Sequence, residues 1–298
     1  MANYRLTAED IEYIHKKIHD TDRYVPKWRR WCPVNPNGKP KAAHYAKFYT
    51  MADVPDGVWT LFMQNAAIED QALTAYTPTT RYFLQLVRKW NIHKNDIEAS
   101  EDGRIKTDSI LKVRKSMEKQ IEKIIINGGK VGDQTVYGLV NDPNVQSGTD
   151  GNGNGMTNIY NLVKELKNKL VAEDFTDKSK WWFIYDSTID GYLDLIDTSF
   201  GATARTKLIE AGILNESRMH LVASGQFTAD TGDAAMMLLE SDPENFYVLE
   251  LTNGVDVGVF YNGALAPDMH YHGYLEWVGV LCVINGKCVA KNTGVASS

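Results

Sequence analysis

The chain has 298 residues, 43% of them hydrophobic, and a formal net charge of −6. That is enough apolar material for one elaborate domain or two, and an acidic chain has no overall electrostatic preference for nucleic acid or anionic membrane. No apolar run is long enough to cross a bilayer, and the opening MANYRLTAEDIEYIHKKIHD lacks the apolar centre of a signal peptide. Cys32, Cys282 and Cys288 are too few and too irregular for a disulfide framework or a zinc site. The expectation is a soluble protein made in the cytoplasm, with free thiols.

In chain order, Thr7 and Asp10 open a capping box, and Ile11, Ile14 and Ile18 continue it as a short amphipathic helix over residues 8–20. From Tyr24 to Lys47, Pro26, Pro33, Pro36 and Pro40 forbid a long helix. The same stretch carries Lys27, Arg29, Arg30, Lys39, Lys41 and Lys47 and no acidic residue, so it reads as an extended basic arm. Trp28 and Trp31 leave three readings open: an arm lying on a neighbouring subunit, a nucleic-acid contact, or a linker pinned to its own domain. Val58–Met63 and Arg81–His93 are strand-like and predict a long hairpin or extended loop over residues 57–93.

The longest helical pattern follows. Ile110, Val113, Met117, Ile121 and Ile124 recur at spacings of three and four, with Lys112, Lys115, Glu118, Lys119 and Glu122 expected on the solvent side. Thr107 suits the first turn as a cap, and Asn127-Gly128-Gly129 ends the last. This helix is expected to be the structural spine.

Asp150, Asn152, Asn154 and Gly155 match the opening of an EF-hand loop, but Asn161 stands where the bidentate glutamate is required, so the segment reads as an exposed loop. Ile159, Leu162, Val163, Leu166 and Leu170 predict a second amphipathic helix. Trp181–Asp186 reads as a strand entering a capped helix. Ser187 lacks the flanking glycines of a nucleophile elbow and is assigned to capping. Thr203–Ala211 predicts a helix closed by Gly212, and 219–224 a strand. Asn253-Gly254 and Asn285-Gly286 predict hairpins joining Phe246–Leu251 to Val255–Tyr261 and Tyr271–Ile284 to Lys287–Lys291. His270, His272 and Glu276 alternate along a strand and form the candidate metal set; with them comes the alternative of a cytosolic metal-dependent enzyme. No phosphate loop, dinucleotide fingerprint or catalytic triad is present in the sequence.

The order of these parts resembles the major capsid proteins of tailed bacteriophages, whose fold is shared with encapsulin shells. The resemblance is carried by the long helix ending in IINGGKVGDQTVYGLVNDPNV, with Tyr137-Gly138-Leu139-Val140-Asn141 followed by Pro143, and by GKCVAKNTGV as a final strand. It implies an α+β fold with an N-terminal arm (1–50) and an extended loop (51–93). A peripheral domain holding the spine helix would take 94–145 and 265–298, and an axial domain 146–264. It implies a non-enzymatic protein, without catalytic, cofactor-binding or metal-binding residues, that self-assembles as pentamers and hexamers of an icosahedral shell around a double-stranded DNA genome. Scaffolding, portal and decoration proteins would be further partners, DNA would be held without sequence specificity, and no membrane would be involved. The location implied is the virion, with assembly in the host cytoplasm. Many such proteins begin with a long, charged, cleavable scaffolding segment, whereas here the arm begins almost at Met1; that segment is either absent or removed, and a separate scaffolding protein is the accompanying expectation. The helix at 8–20 also resembles the cargo-binding helix of encapsulins, which makes a nanocompartment shell the alternative.

Overall fold

The structure is a computed structural model that describes residues 28–36, 45–51, 76–95, 107–131, 133–149, 151–153, 155–196, 201–222, 227, 234–252, 254–260 and 266–296. The helix expected at 8–20, the strand expected at Val58–Met63, and Asp150 and Asn154 lie outside the described residues. In chain order, α1 (Trp28–Trp31) leads into β1 (Val34–Pro36), and β2 (Tyr45–Met51) and β3 (Tyr76–Tyr82) precede β4 (Leu84–His93). The long helix is α2 (Thr107–Asn127), with β5 (Gly129–Val131) and β6 (Gln134–Val136) at its exit. Then come β7 (Gln146–Ser147), β8 (Gly151–Asn152), α3 (Met156–Ala172), β9 (Trp181–Tyr185), α4 (Ser187–Leu193), α5 (Ala204–Glu210), β10 (Met219–Leu221) and β11 (Ala234–Glu240). The last described elements are β12 (Phe246–Glu250), β13 (Asp256–Val259), β14 (His270–Val283) and β15 (Val289–Ala296).

The first sheet is organised on β14. β4 runs antiparallel along one edge, from His270↔His93 to Gly279↔Leu84. The other edge carries β12, with Glu250 opposite Gly279, and then β13, with Asp256 opposite Glu276. β12 and β13 therefore form one interrupted strand and not the hairpin expected at Asn253-Gly254. Gly254, at φ 88°, sits in the interruption, and Leu251 N keeps the register by donating to Val278 O at 2.9 Å. β1 adds in parallel to the outside of β12.

The second sheet has the order β10-β9-β11-β15-β7, with β8 also on β15. The hairpin expected at Asn285-Gly286 is thus corrected as well: β14 and β15 flank the turn but belong to different sheets. The expected segments 146–264 and 265–298 consequently exchange strands, since β12 and β13 join the first sheet and β15 the second.

Burial explains the sequence patterns. Ile159, Val163, Leu166 and Leu170 of α3 are fully buried against Phe183, Met236, Leu238 and Val295, while Leu162 packs at the edge of this cluster. On the opposite face of the same sheet, Ile184, Ala235, Met237, Leu239 and Val289 join the core under α2. β11 reads AAMMLLE without alternation because both of its faces meet protein. In α2, Met117, Ile121, Ile125 and Ile126 are buried, each side chain contributing roughly 1.5–3 kcal/mol by removal from water. Glu118 and Glu122, expected on the solvent side, are also buried, at 2% and 5% exposure. The arm covers one and β10 the other, so α2 is enclosed beyond its apolar stripe.

Candidate functional site

β2 and β3 form an antiparallel ribbon from Tyr45↔Tyr82 to Met51↔Tyr76. A two-stranded ribbon is marginal on its own, so its orientation depends on how its root is held. Ala46 is buried with Leu249, Val280 and Cys282, and Phe83, Tyr247 and Ile284 pack around them. This cluster sits on the even-numbered side of β14; the odd-numbered side, with Tyr271, Leu275, Trp277, Leu281 and Val283, faces the core under α2. β2 begins at residue 45, so the expected arm–loop boundary at 50/51 cuts through a strand whose partner is β3.

The second half of the root is the exit of α2. Gly128 adopts φ 68°, and a Cβ on Gly138 would stand 2.2 Å from Gly128 N, so the two glycines lie back to back. The chain then returns to the helix end: Leu139 N donates to Ile125 O at 2.9 Å and Val140 N to Ile126 O at 2.7 Å, which satisfies carbonyls the helix terminus would leave open. Asn141 closes the turn. Its Oδ1 accepts from Gly138 N at 2.6 Å and its Nδ2 donates to Val136 O at 3.1 Å. The Gly-Leu-Val-Asn phrase is the C-terminal cap of the spine. One residue further, Asp142 is buried and accepts from Arg81 Nη2 of β3. Arg81 Nη1 donates to Leu281 O of β14 at 3.0 Å, and its guanidinium lies 4.9 Å from the centre of the Tyr137 ring.

The arm enters beside this root. Trp28 and Trp31 are fully buried in the core under α2, so the described part of the basic arm is pinned to its own chain. Trp28 Nε1 donates to Glu118 Oε2 at 3.4 Å; Arg29 Nη2 and Trp277 Nε1 both donate to Glu250 Oε1, at 2.5 and 2.6 Å. Burial raises the Glu118 carboxyl above the ordinary range, opposed by Arg29 and Arg114. Burial likewise pushes the Cys32 thiol far up, which makes it an inert core residue.

The candidate chemistry from sequence disperses. His270, His272 and Glu276 share one face of β14, but His272 and Glu276 are separated by roughly 14 Å along the strand, beyond the joint reach of the two side chains to one ion. Glu276 Oε1 instead accepts from Gln85 Nε2 at 2.6 Å, and His272 Nε2 lies 2.9 Å from Asp268 Oδ2. Among the described residues no group of three or more histidine, cysteine or acidic side chains is arranged to hold a metal ion. Ser187 is exposed and is not the cap. Asp186 caps α4, with Oδ1 accepting from Thr188 N at 2.9 Å and Ile189 N at 3.0 Å.

No protein-family model and no curated protein sequence matches this chain. Solved structures do. The chain is similar to the capsid of an empty GTA particle, at 13% identity over 93% of this chain and 94% of that one, with a TM-score of 0.65. It is similar to the virus-like particle from Pyrococcus furiosus, at 10% identity over 96% and 98%, with a TM-score of 0.63. The SrpI encapsulin of Synechococcus elongatus PCC 7942 aligns at 13% identity over 92% and 89%, with a TM-score of 0.58. The chain has the fold of phage capsids and encapsulins. Within this capsid-type fold, Arg81, Asp142, Glu122 and His220 were not singled out by the sequence as contact residues. Each makes its contact with a residue 61 or more positions away, which no local pattern encodes.

Proposed function

We propose that this chain is a major capsid protein, a structural subunit that self-assembles into an icosahedral shell around a double-stranded DNA genome. The observation that carries the reading is the ribbon β2–β3, held at its root by a buried arginine and a small apolar cluster, on a body with the capsid-type fold. Such a ribbon is a natural lever onto a neighbouring copy, and closed shells form when modest contacts repeat with symmetry. In this reading α2 and the β14 sheet form the peripheral part, α3 and the β11 sheet the axial part whose loops meet at five- and six-fold axes, and β2–β3 the extended loop. Pentamers and hexamers of one chain are the assembly units. Scaffolding, portal and decoration proteins are further partners, and the virion is the location.

The encapsulin reading shares the fold, and two of the similar structures are named as a virus-like particle and an encapsulin. Contents separate the two. Sedimentation and negative-stain imaging of the purified chain, with nucleic-acid assay and mass spectrometry of the same fractions, should give closed particles able to hold DNA. Particles holding a discrete protein would favour the nanocompartment, and a homogeneous monomer or dimer across ionic conditions would overturn both.

A further inference from the structure

We propose that Arg81 is the pin that sets the angle at which the β2–β3 ribbon leaves the body, and that it thereby sets the curvature of the assembled shell. The curvature half rests on the shell reading; the pin itself does not.

Arg81 is 7% exposed at the penultimate residue of β3, opposite Ala46, and a single residue, Phe83, separates β3 from β4. Its guanidinium reaches three parts of the chain that are distant in sequence: Asp142 in the spine exit, the Leu281 carbonyl in β14, and the Tyr137 ring. Asp142 is itself fixed, because its Oδ1 accepts from Asn144 N at 3.0 Å and the preceding turn is closed by Asn141. A planar guanidinium satisfies such divergent acceptors in one orientation only, which a lysine ammonium does not enforce.

Burying this pair has a desolvation cost that the Coulomb attraction offsets only in part, so its worth lies more in geometry than in stability. A seven-residue strand is roughly 23 Å long, so a rotation of about 10° at the root moves the far end by roughly 4 Å. That is ample to change how one copy meets the next. The exit of α2 and the ribbon are thus one mechanical unit, with Arg81 as the joint.

The test uses Arg81→Lys and Asp142→Asn, with Tyr137→Leu as a milder variant that keeps the ion pair. Hydrogen exchange on unassembled subunits should show at least tenfold faster exchange in residues 76–82 for the first two, with residues 117–126 unchanged. Particles from those variants should have a broadened or shifted diameter distribution, with Tyr137→Leu intermediate. Unchanged ribbon exchange in both variants, or equal acceleration throughout the chain, overturns the pin. Faster ribbon exchange with particle diameters identical to wild type overturns the curvature role. Should Arg81→Lys and Asp142→Asn both fail to fold, Tyr137→Leu decides by the same two readouts. A wild-type chain that forms no particles removes the shell reading and the curvature role with it, while exchange still decides the pin.

Discussion

Glu122 Oε1 of α2 lies 2.8 Å from His220 Nε2 of β10, and both side chains are only 7% exposed. This contact joins the spine to the edge strand of the second sheet, and the Trp31 ring lies 6.4 Å from the imidazole. Removing one member leaves a buried polar group without its partner. Glu122→Ala should lower stability by roughly 1–3 kcal/mol, and Glu122→Gln, which keeps a hydrogen-bonding group, by clearly less. Urea unfolding of the two variants checks the order; equal losses would show that the carboxyl contributes only by filling space.

The pH dependence follows from Glu118. Burial raises its carboxyl above the ordinary value of 4.5, so the folded chain holds that proton more tightly than the unfolded chain. The stability from this group is present in full below pH 4.5 and is lost as pH rises through the raised value. Glu118→Gln removes the titration and keeps an acceptor for Trp28 Nε1. Its denaturation midpoint should gain on wild type as pH rises from about 4 to 8. A variant that falls further behind with rising pH would contradict this.

The glycines at the spine exit predict a sharp contrast. A Cβ at Gly138 would lie 2.2 Å from backbone Gly128 N, whereas a Cβ at Gly129 meets nothing within 4 Å. Gly138→Ala should abolish folding or lower the melting temperature by well over 10 °C, and Gly129→Ala should stay within about 0.5 kcal/mol of wild type. Thermal unfolding followed by circular dichroism compares them directly.

Capping of α4 gives a fourth test. Asp186 binds two amides of the helix start and, through Oδ2, Ala235 N at 2.6 Å, so Asp186→Ala should cost about 1–2 kcal/mol. Ser187→Ala should be neutral, because that side chain is exposed. A larger loss at Ser187 would reverse the assignment.

The elements legible in sequence were those whose signal is local. The extent of α2, the stripe of α3, the strand at Trp181–Tyr185 and the helix ended by Gly212, which adopts φ 62°, appear where spacing and turn residues place them, whereas in α2 Ile124 is only half-buried and Ile125 and Ile126 join Met117 and Ile121 in the core. What was not legible depends on partners. The Asn-Gly steps at 253–254 and 285–286 carry hairpin chemistry, yet β14 is long enough to pair with both β12 and β13, and its continuation is drawn into the other sheet by β11. Glu118 and Glu122 carry the polar signature of a solvated face until Trp28 and His220 are placed over them. Likewise, alternation put His270, His272 and Glu276 on one face but said nothing of the strand length between them. The exit phrase that carries the resemblance to capsid proteins is a helix cap whose geometry two glycines and Asn141 dictate.

The placement of β15 bears on how the protein is made. β15 lies inside the second sheet, between β11 and β7, although it is the last described strand in the chain. A growing polypeptide that has reached residue 283 has every described strand of the first sheet but still exposes one edge of the apolar β11. Such an edge invites pairing with another nascent chain, so the interval before residues 289–296 emerge is the vulnerable moment of biosynthesis. Slower translation across that stretch should lower the yield of native protein, and a chaperone that shields strand edges should restore it.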